Sequence, residues 1–557
     1  MRILLLGLVM CQLASVATAQ KNVLLIIGDD IGLDNVSAYG ENPDAASTPN
    51  IDGLADRGVL FRRAYSNPVC SPTRATILTG RYAWRTGMGA ALVGQTSGSL
   101  ILSTPTIADV MNTVGYGTAA VGKWHMANFD FLHPLAAGFD QCSGSPGNIN
   151  NYFNYAKNVN GVVTDSPIYA TTDTVNDTLS LMTQMQGAPW FLWVAFNSAH
   201  TPFHKPSPGL HGYTLPAQIA GNEPIHTKAM IEAMDTEIGR LLDAVNFEET
   251  LVIFVGDNGP DSLSVTPPWD PSHAKHTVYD LGIHVALIIA GAGTVEGLES
   301  NALVNTTDLY ATIAEVANAP TEAAVDSVSL WRYLIQPGAP SLRSFVYSER
   351  FVPNFDPATG WPGTFQIRMQ SAIEERYKLN FEYLTGSTQV DPDKRELFDL
   401  VADPFETVNL LKEPLTPEAA AAYAALRANL VGQGPSPWTG LGQSLPGTAG
   451  PPQLEGTGSL VPESVANLHI VNGLPGAAGT LYIGFSPGNE PFHCGILVPT
   501  PNMLIPFTLD EKGANSSSFV VPQLPGNSPL FMQAWIADPG GVCEYAATNG
   551  LMGSTAP

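Results

Sequence analysis

Four short apolar runs, each ending abruptly in polar residues suited to holding ions, constrain this chain more than any other feature. Asn22 to Ile27 ends in Gly28-Asp29-Asp30, and Leu251 to Val255 ends in Gly256-Asp257-Asn258-Gly259. Gly117 to Val121 runs into Gly122-Lys123-Trp124-His125, and Trp190 to Phe196 into Asn197-Ser198-Ala199-His200. Runs of this length, separated by helix-like stretches such as 50–58 and 225–245, predict an α/β fold with a mixed, mostly parallel sheet sandwiched by helices. In such sheets ligands bind beyond the carboxyl ends of the strands, where these four clusters would lie.

Two of the clusters offer only oxygen. Asp29, Asp30, Asp257 and Asn258 supply carboxylate and amide oxygens, the ligand set of a hard divalent cation, Ca²⁺ before Mg²⁺. Zinc would call for the His or Cys ligands that these positions lack. Either pair alone also reads as ordinary turn and N-cap chemistry.

The segment Cys70-Ser71-Pro72-Thr73-Arg74, continued by Ala75-Thr76-Ile77-Leu78-Thr79-Gly80-Arg81, predicts a helix that starts at the cysteine and stops at Gly80. Such a helix aims free N–H groups and the positive end of its dipole at Cys70, which favours a tetrahedral anion. Arg74 falls about one turn along, within reach of charge-assisted hydrogen bonds. A buried structural cysteine in a Pro-containing turn would show the same five residues.

This segment resembles the signature of the type I, formylglycine-dependent sulfatases, arylsulfatase-like members of the alkaline phosphatase superfamily. The resemblance continues through Thr48-Pro49-Asn50-Ile51-Asp52, Val304 to Tyr310, Arg376 to Leu379 and Glu396 to Leu400 with Asp403-Pro404, covering roughly residues 21–430. It implies that Cys70 is oxidised to Cα-formylglycine by a formylglycine-generating enzyme. It also implies one Ca²⁺ held by Asp29, Asp30, Asp257 and Asn258 together with residue 70. Lys123, His125, His200 and Lys275 match positions that contact the formylglycine and the sulfate. In the mechanism so implied, a hydroxyl of the hydrated aldehyde attacks sulfur, with Asp257 as base and His200 or Lys275 as acid toward the leaving alcohol. Two departures stand out. Thr73 replaces the usual Ser, and Asp280-Leu281-Gly282-Ile283-His284-Val285-Ala286 stands where relatives show Glu-Gly-Gly-x-Arg-Val-Pro.

Residues 1–19 read as a secretory signal, with Arg2, an apolar core from Ile3 to Val16 and Ala17-Thr18-Ala19 before the cut. The expected product is secreted or periplasmic, with no membrane span. Four cysteines then remain. If Cys70 is modified, as the resemblance implies, Cys494 and Cys543 are the natural disulfide pair and Cys142 is left over. A Cys70–Cys142 disulfide is the alternative, and it would abolish the nucleophile. The net charge of −25 argues against nucleic acid as a partner and against long polysulfated chains.

The expected organisation is a catalytic α/β unit over 20–340 and a small antiparallel C-terminal subdomain over 341–431, closed by a helix that Thr416 caps. A Gly/Pro-rich linker over 432–463 and an all-β, sandwich-like module over 464–557 follow. A small sulfate ester, aryl or saccharide, is the expected substrate, its alcohol recognised by loops 201–211, 260–276 and 351–364, with Phe203 and His204 at the pocket rim or, alternatively, Pro202 and Phe203 merely packing the loop. The rivals are a phosphodiesterase or phosphonate monoester hydrolase of the same superfamily, and a sulfated-glycan-binding protein without catalysis.

Overall fold

The computed structural model describes residues 21–92, 98–128, 130–357, 365–383, 390–431, 438–458, 460, 465–521 and 529–554. The expected signal segment, and residues 432–437, 459 and 461–464 of the expected linker, lie outside the described residues.

A ten-stranded sheet organises the first 300 residues. Its strands are β1 (Asn22–Gly28), β2 (Gly58–Phe61), β3 (Gly117–Gly122), β4 (Gln141–Gly144), β5 (Tyr155–Val159), β6 (Val162–Ser166), β7 (Trp190–Ala195), β8 (Thr250–Gly256), β9 (Leu287–Gly291) and β10 (Leu298–Ser300), in spatial order β10-β2-β9-β8-β1-β7-β3-β4-β5-β6. The centre, β8-β1-β7-β3-β4, is parallel throughout. Antiparallel pairings begin on either side of it, at β9 and at β5 and β6.

Strands β1, β7 and β8 are apolar almost without interruption because helices cover both faces. Alternation along β1 divides the core in two. Val23, Leu25 and Ile27 face α2 (Cys70–Thr79), α3 (Ile107–Thr113) and α6 (Leu309–Ala317), through Ile77, Leu78, Met111 and Ile313. Leu24 and Ile26 face α1 (Pro49–Asp56), α4 (Ala170–Gln184) and α5 (Glu223–Leu242), through Leu54, Val175, Met234 and Ile238.

A second, antiparallel sheet of β11 (Val346–Val352), β12 (Ile367–Ile373), β13 (Tyr377–Tyr383) and β14 (Val390–Asp399) carries α7 (Pro417–Val431) on one face. The Ala419 N–H donates to Thr416 Oγ1 at 3.2 Å, the expected cap. Leu426 and Leu430 pack with Tyr377, Leu379 and Phe381.

Beyond this helix the strands are antiparallel and fall into separate sheets. Leu454, Ala466, Leu468 and Ile470 of one sheet share a core with Leu481, Met532, Ala534 and Ile536 of another, the packing of a sandwich. The Gly- and Pro-rich run expected as a linker contributes strands at Trp438–Gly442 and Gln453–Gly458. Pairing with Gly550–Ser554 and Val465–Val471 supplies the order that its own composition lacks. Cys494 and Cys543 form a disulfide, and Cys70 and Cys142 are free thiols, so the alternative Cys70–Cys142 bridge is not formed. Among the described residues, no helix is long and apolar enough to cross a membrane.

Candidate active site

Register brings the strand ends together. Gly28 of β1 pairs with Gly256 of β8, and Gly122 of β3 with Ala195 of β7, so the residues that follow emerge at one edge. Two glycines are required for that convergence. A Cβ on Gly256 would sit 1.8 Å from the Ile31 carbonyl oxygen, and one on Gly122 would sit 2.0 Å from that of Ala195. Gly122 also has φ +85°, which allows the Lys123 N–H to turn back onto the Ala195 carbonyl at 2.7 Å.

Cys70 opens α2, and all ten residues of that helix are buried. Pro72 lies in its first turn, and Gly80, in the left-handed region at φ +64°, ends it with its N–H on the Thr76 carbonyl. Arg74, fully buried, donates Nε and Nη2 to Asp257 Oδ2 at 3.0 and 2.8 Å and Nη1 to the Lys123 carbonyl at 2.7 Å. Its hydrogen bonds therefore go to neighbouring site residues. Lys123 pairs with Asp29, and Lys275 Nζ donates to Asp30 Oδ1 at 2.6 Å.

Three buried carboxylates, those of Asp29, Asp30 and Asp257, thus meet three cations, Arg74, Lys123 and Lys275, and the cluster is neutral as it stands. Burial pushes the Asp29 carboxyl up, but Lys123, His200, Arg74 and Lys275 outweigh it and hold the group well below the usual carboxylate range. Burial and the adjacent Asp29 charge push Asp257 up. Burial lowers Lys275, but Asp30 and its other acidic neighbours outweigh that and fix it as an ammonium.

The pairing leaves a remainder. Asp29 Oδ1, Asp30 Oδ2 and Asn258 Oδ1 are buried with no hydrogen-bond partner among the described residues. The Asn258 amide nitrogen donates to Asp30 Oδ1 and to the Gly259 carbonyl, both at 2.8 Å, which turns its oxygen toward the unpaired side. Leaving buried acceptors unsatisfied costs about 1–3 kcal/mol each. A hard divalent cation is the group that three such oxygens fit. One ligand atom each from Asp29, Cys70 and Asp257 lies within 4.8 Å of the others, which makes the Cys70 thiol the one soft donor in an oxygen cradle.

His125 faces residue 70 with Nδ1 3.1 Å from Sγ, while its Nε2 lies 3.1 Å from the Leu92 carbonyl. A carbonyl only accepts, so Nε2 carries the ring proton and Nδ1 presents its lone pair to residue 70. Burial, Lys123 and Arg74 hold this histidine well below its ordinary range, hence neutral. Leu92 also donates its N–H to Ser71 Oγ at 3.2 Å, which couples the His125 ring to the first turn of α2. Asp30 and His125 have left-handed backbones, φ 61° and 57°, local strain of the sort that concentrates at functional positions.

His200 donates Nδ1–H to the Thr201 carbonyl at 2.8 Å, and burial together with Lys123 lowers its pKa. Its loop is fixed by Tyr152, whose hydroxyl reaches the His200 carbonyl at 2.7 Å and that of Asn197. Tyr152 had no signal in the sequence beyond being one aromatic residue among many. Of the two expected rim residues, Phe203 packs into the core and His204 packs against Tyr152 with ring centroids 4.1 Å apart. His284 is tied internally, with Nδ1 on Asp280 Oδ2 at 2.7 Å, Nε2 on the Arg62 carbonyl at 2.9 Å and its ring stacked on Tyr65.

The ten residues expected from the sequence to be catalytic or metal-binding, Asp29, Asp30, Cys70, Arg74, Lys123, His125, His200, Asp257, Asn258 and Lys275, therefore border one buried cluster. The Sulfatase family model matches residues 21–319. Arylsulfatase A of Homo sapiens is 30% identical over 481 residues, spanning 76% of this chain and 90% of its own. N-acetylgalactosamine-6-sulfatase of Homo sapiens is 29% identical over 363 residues, 58% of this chain and 67% of its own. Among solved structures, BT4656 in complex with its substrate D-glucosamine-2-N,6-O-disulfate aligns with a TM-score of 0.57 at 18% identity, covering 74% of this chain and 96% of the other, a likeness of fold.

Proposed function

Because the chain belongs to the sulfatase family and is a sulfuric ester hydrolase, we propose that it is exported and cleaves sulfate monoesters of sugars or aryl alcohols using a formylglycine made from Cys70 and one Ca²⁺. The observation that carries the proposal is the trio of unpartnered buried oxygens, Asp29 Oδ1, Asp30 Oδ2 and Asn258 Oδ1, next to a residue 70 that opens a buried helix. The Cys494–Cys543 disulfide supports an oxidising destination.

In this reading Asp29, Asp30, Asp257 and Asn258 hold the Ca²⁺, which would supply positive charge to the sulfate oxygens. With a divalent ion added to a neutral cluster, the pocket has a net charge of about +2 toward an anionic ester. The formylglycine hydrate would supply the attacking oxygen and a second hydroxyl for release of sulfate. Two bases face residue 70, an Asp257 carboxylate oxygen within 4.8 Å of Sγ and the His125 Nδ1 lone pair at 3.1 Å, one for each hydroxyl proton. Lys123, Lys275 and the N–H groups of the first turn of α2 bind and orient the ester. His200 or Lys275 protonates the leaving oxygen, with Nε2 the free position on His200 because Nδ1–H is committed to Thr201.

Mass spectrometry of the peptide 64–74 from protein made in a competent host tests the modification, the expected result being loss of the thiol and gain of an aldehyde. Hydrolysis of aryl sulfate, sulfated sugar and phosphate diester by that protein tests the chemistry. Rapid diester cleavage without any sulfate ester cleavage would overturn the assignment.

A further inference from the structure

Arg350, on β11, is an arginine kept free of acid in a chain where 50 acidic residues outnumber 25 basic ones. Arg62, Arg74, Arg85, Arg240, Arg343 and Arg376 each meet a carboxylate, whereas Arg350, like Arg63 and Arg81, bonds to backbone carbonyl oxygen. Among the described residues no carboxylate lies within 4.0 Å of Arg350, whose Nε is buried without a partner. Its one hydrogen bond runs from Nη1 to the His276 carbonyl at 2.6 Å. Nε and Nη2 therefore make no hydrogen bond to a described residue, and together they form the side-on fork that takes both oxygens of an oxyanion. Burial lowers the pKa of this arginine.

The position is adjacent to the sulfate pocket. His276 follows Lys275, which turns inward to Asp30, and the His276 N–H donates to the Pro68 carbonyl at 2.9 Å, two residues before Cys70. His276 has a left-handed backbone at φ 80°, is exposed, and its ring makes no hydrogen bond to a described residue. Burial, Arg350 and Lys275 lower it to about 4, so near neutrality the ring is an uncharged donor beside a charged arginine. β11 is anchored here: Phe351 donates its N–H to the Gly89 carbonyl at 3.1 Å, and the Ser348 hydroxyl bonds to the Ser66 carbonyl. Arg350 is thereby held against the residue that follows Lys275.

We propose that Arg350 and His276 form a second anion-binding position, so that the natural substrate is a sulfated sugar with a further oxyanion, carboxylate or sulfate, on the same or the neighbouring ring. The proposal rests on the reading of residue 70 as the ester-cleaving centre. The rest of the acidic surface repels long polyanions, so the arrangement selects short, doubly charged saccharides.

Steady-state kinetics on matched pairs test it: 4-nitrophenyl sulfate and glucosamine 6-O-sulfate with one anion, glucosamine-2-N,6-O-disulfate and uronic-acid-containing sulfated disaccharides with two. We expect the wild type to prefer at least one two-anion sugar in kcat/KM, the preference lying in KM. Arg350→Gln should cut that ratio at least tenfold, and Arg350→Lys, a point charge without the fork, should keep part of it. A structural role would lower all substrates together, so an unchanged ratio in the Gln variant overturns the subsite, as does a wild type indifferent to the second anion. A wild type that cleaves no sulfate ester overturns the proposed function, and this site with it.

Discussion

Arg74 closes two of its nitrogens on a single oxygen of Asp257, Nε at 3.0 Å and Nη2 at 2.8 Å, and leaves the other oxygen to the Asp30 N–H at 3.1 Å. The fork fixes the direction of a carboxylate that touches both the oxygen cradle and residue 70. A lysine keeps the charge but cannot make two parallel bonds and also reach the Lys123 carbonyl. Arg74→Lys is expected to lower kcat on the order of 10²-fold through misplacement of Asp257, with little change in KM. Unchanged kcat in the folded variant would rule out the positioning role.

Removal of the proposed Ca²⁺ is expected to abolish turnover and lower thermal stability together, because the three buried oxygens Asp29 Oδ1, Asp30 Oδ2 and Asn258 Oδ1 are again left unpaired. At a hundredfold excess over its dissociation constant a bound ion contributes about 2.7 kcal/mol. Chelation followed by calorimetry, then readdition of Ca²⁺, checks this. Asp30→Ala should not recover on readdition, since it removes a ligand and strands the buried Lys275 ammonium. Stoichiometric zinc in active protein would contradict the oxygen cradle.

The neutral His125 ring predicts a loss confined to chemistry. His125→Ala takes away the lone pair 3.1 Å from the atom at position 70 and leaves Lys123 and Lys275 in place. The expected fall in kcat is about 10²–10⁴-fold with KM nearly constant. A rise in KM with kcat preserved would assign the ring to binding instead.

Glu349 gives the protein a pH-dependent weakness. Burial raises its carboxyl from 4.5 to about 7, although the Trp84 N–H and the Tyr347 hydroxyl both donate to it, at 2.7 and 2.8 Å. With the folded value above the unfolded one, its contribution is fully present below pH 4.5 and is lost as pH rises through 7. The swing is on the order of 3 kcal/mol. Urea titrations of wild type and Glu349→Gln at pH 4.5 and pH 8 should diverge, the variant gaining relative to wild type at the higher pH. A constant difference across that range would show that Glu349 does not titrate there.

Much of this architecture was legible in advance because its signals are local. Apolar runs such as Leu251 to Val255 mark buried parallel strands whatever their neighbours, and the residues after them inherit the strand-end position. Pro72 and Gly80 bracket α2 by backbone chemistry alone. What could not be read depends on distant partners. Phe203 and His204 sit beside His200 in sequence, yet the core and Tyr152 take them. Arg350 and His276 are 74 residues apart and meet only because β11 docks beside the entry to α2. Strands at Trp438–Gly442 and Gln453–Gly458 hide in a Gly- and Pro-rich run because pairing with strands elsewhere creates them.

The alternation along β1 also acts as a caliper. A slip of one residue in that strand would carry Asp29 and Asp30 about 3.3 Å along the sheet, more than the length of a metal–oxygen bond. It would also exchange the side chains facing the two cores, sending Val23, Leu25 and Ile27 into the space shaped for Leu24 and Ile26. Misalignment of the ion cradle is thereby penalised by oil rather than by charge. Variation in the loops beyond the strand ends leaves that register in place, because it is set by the core beneath them.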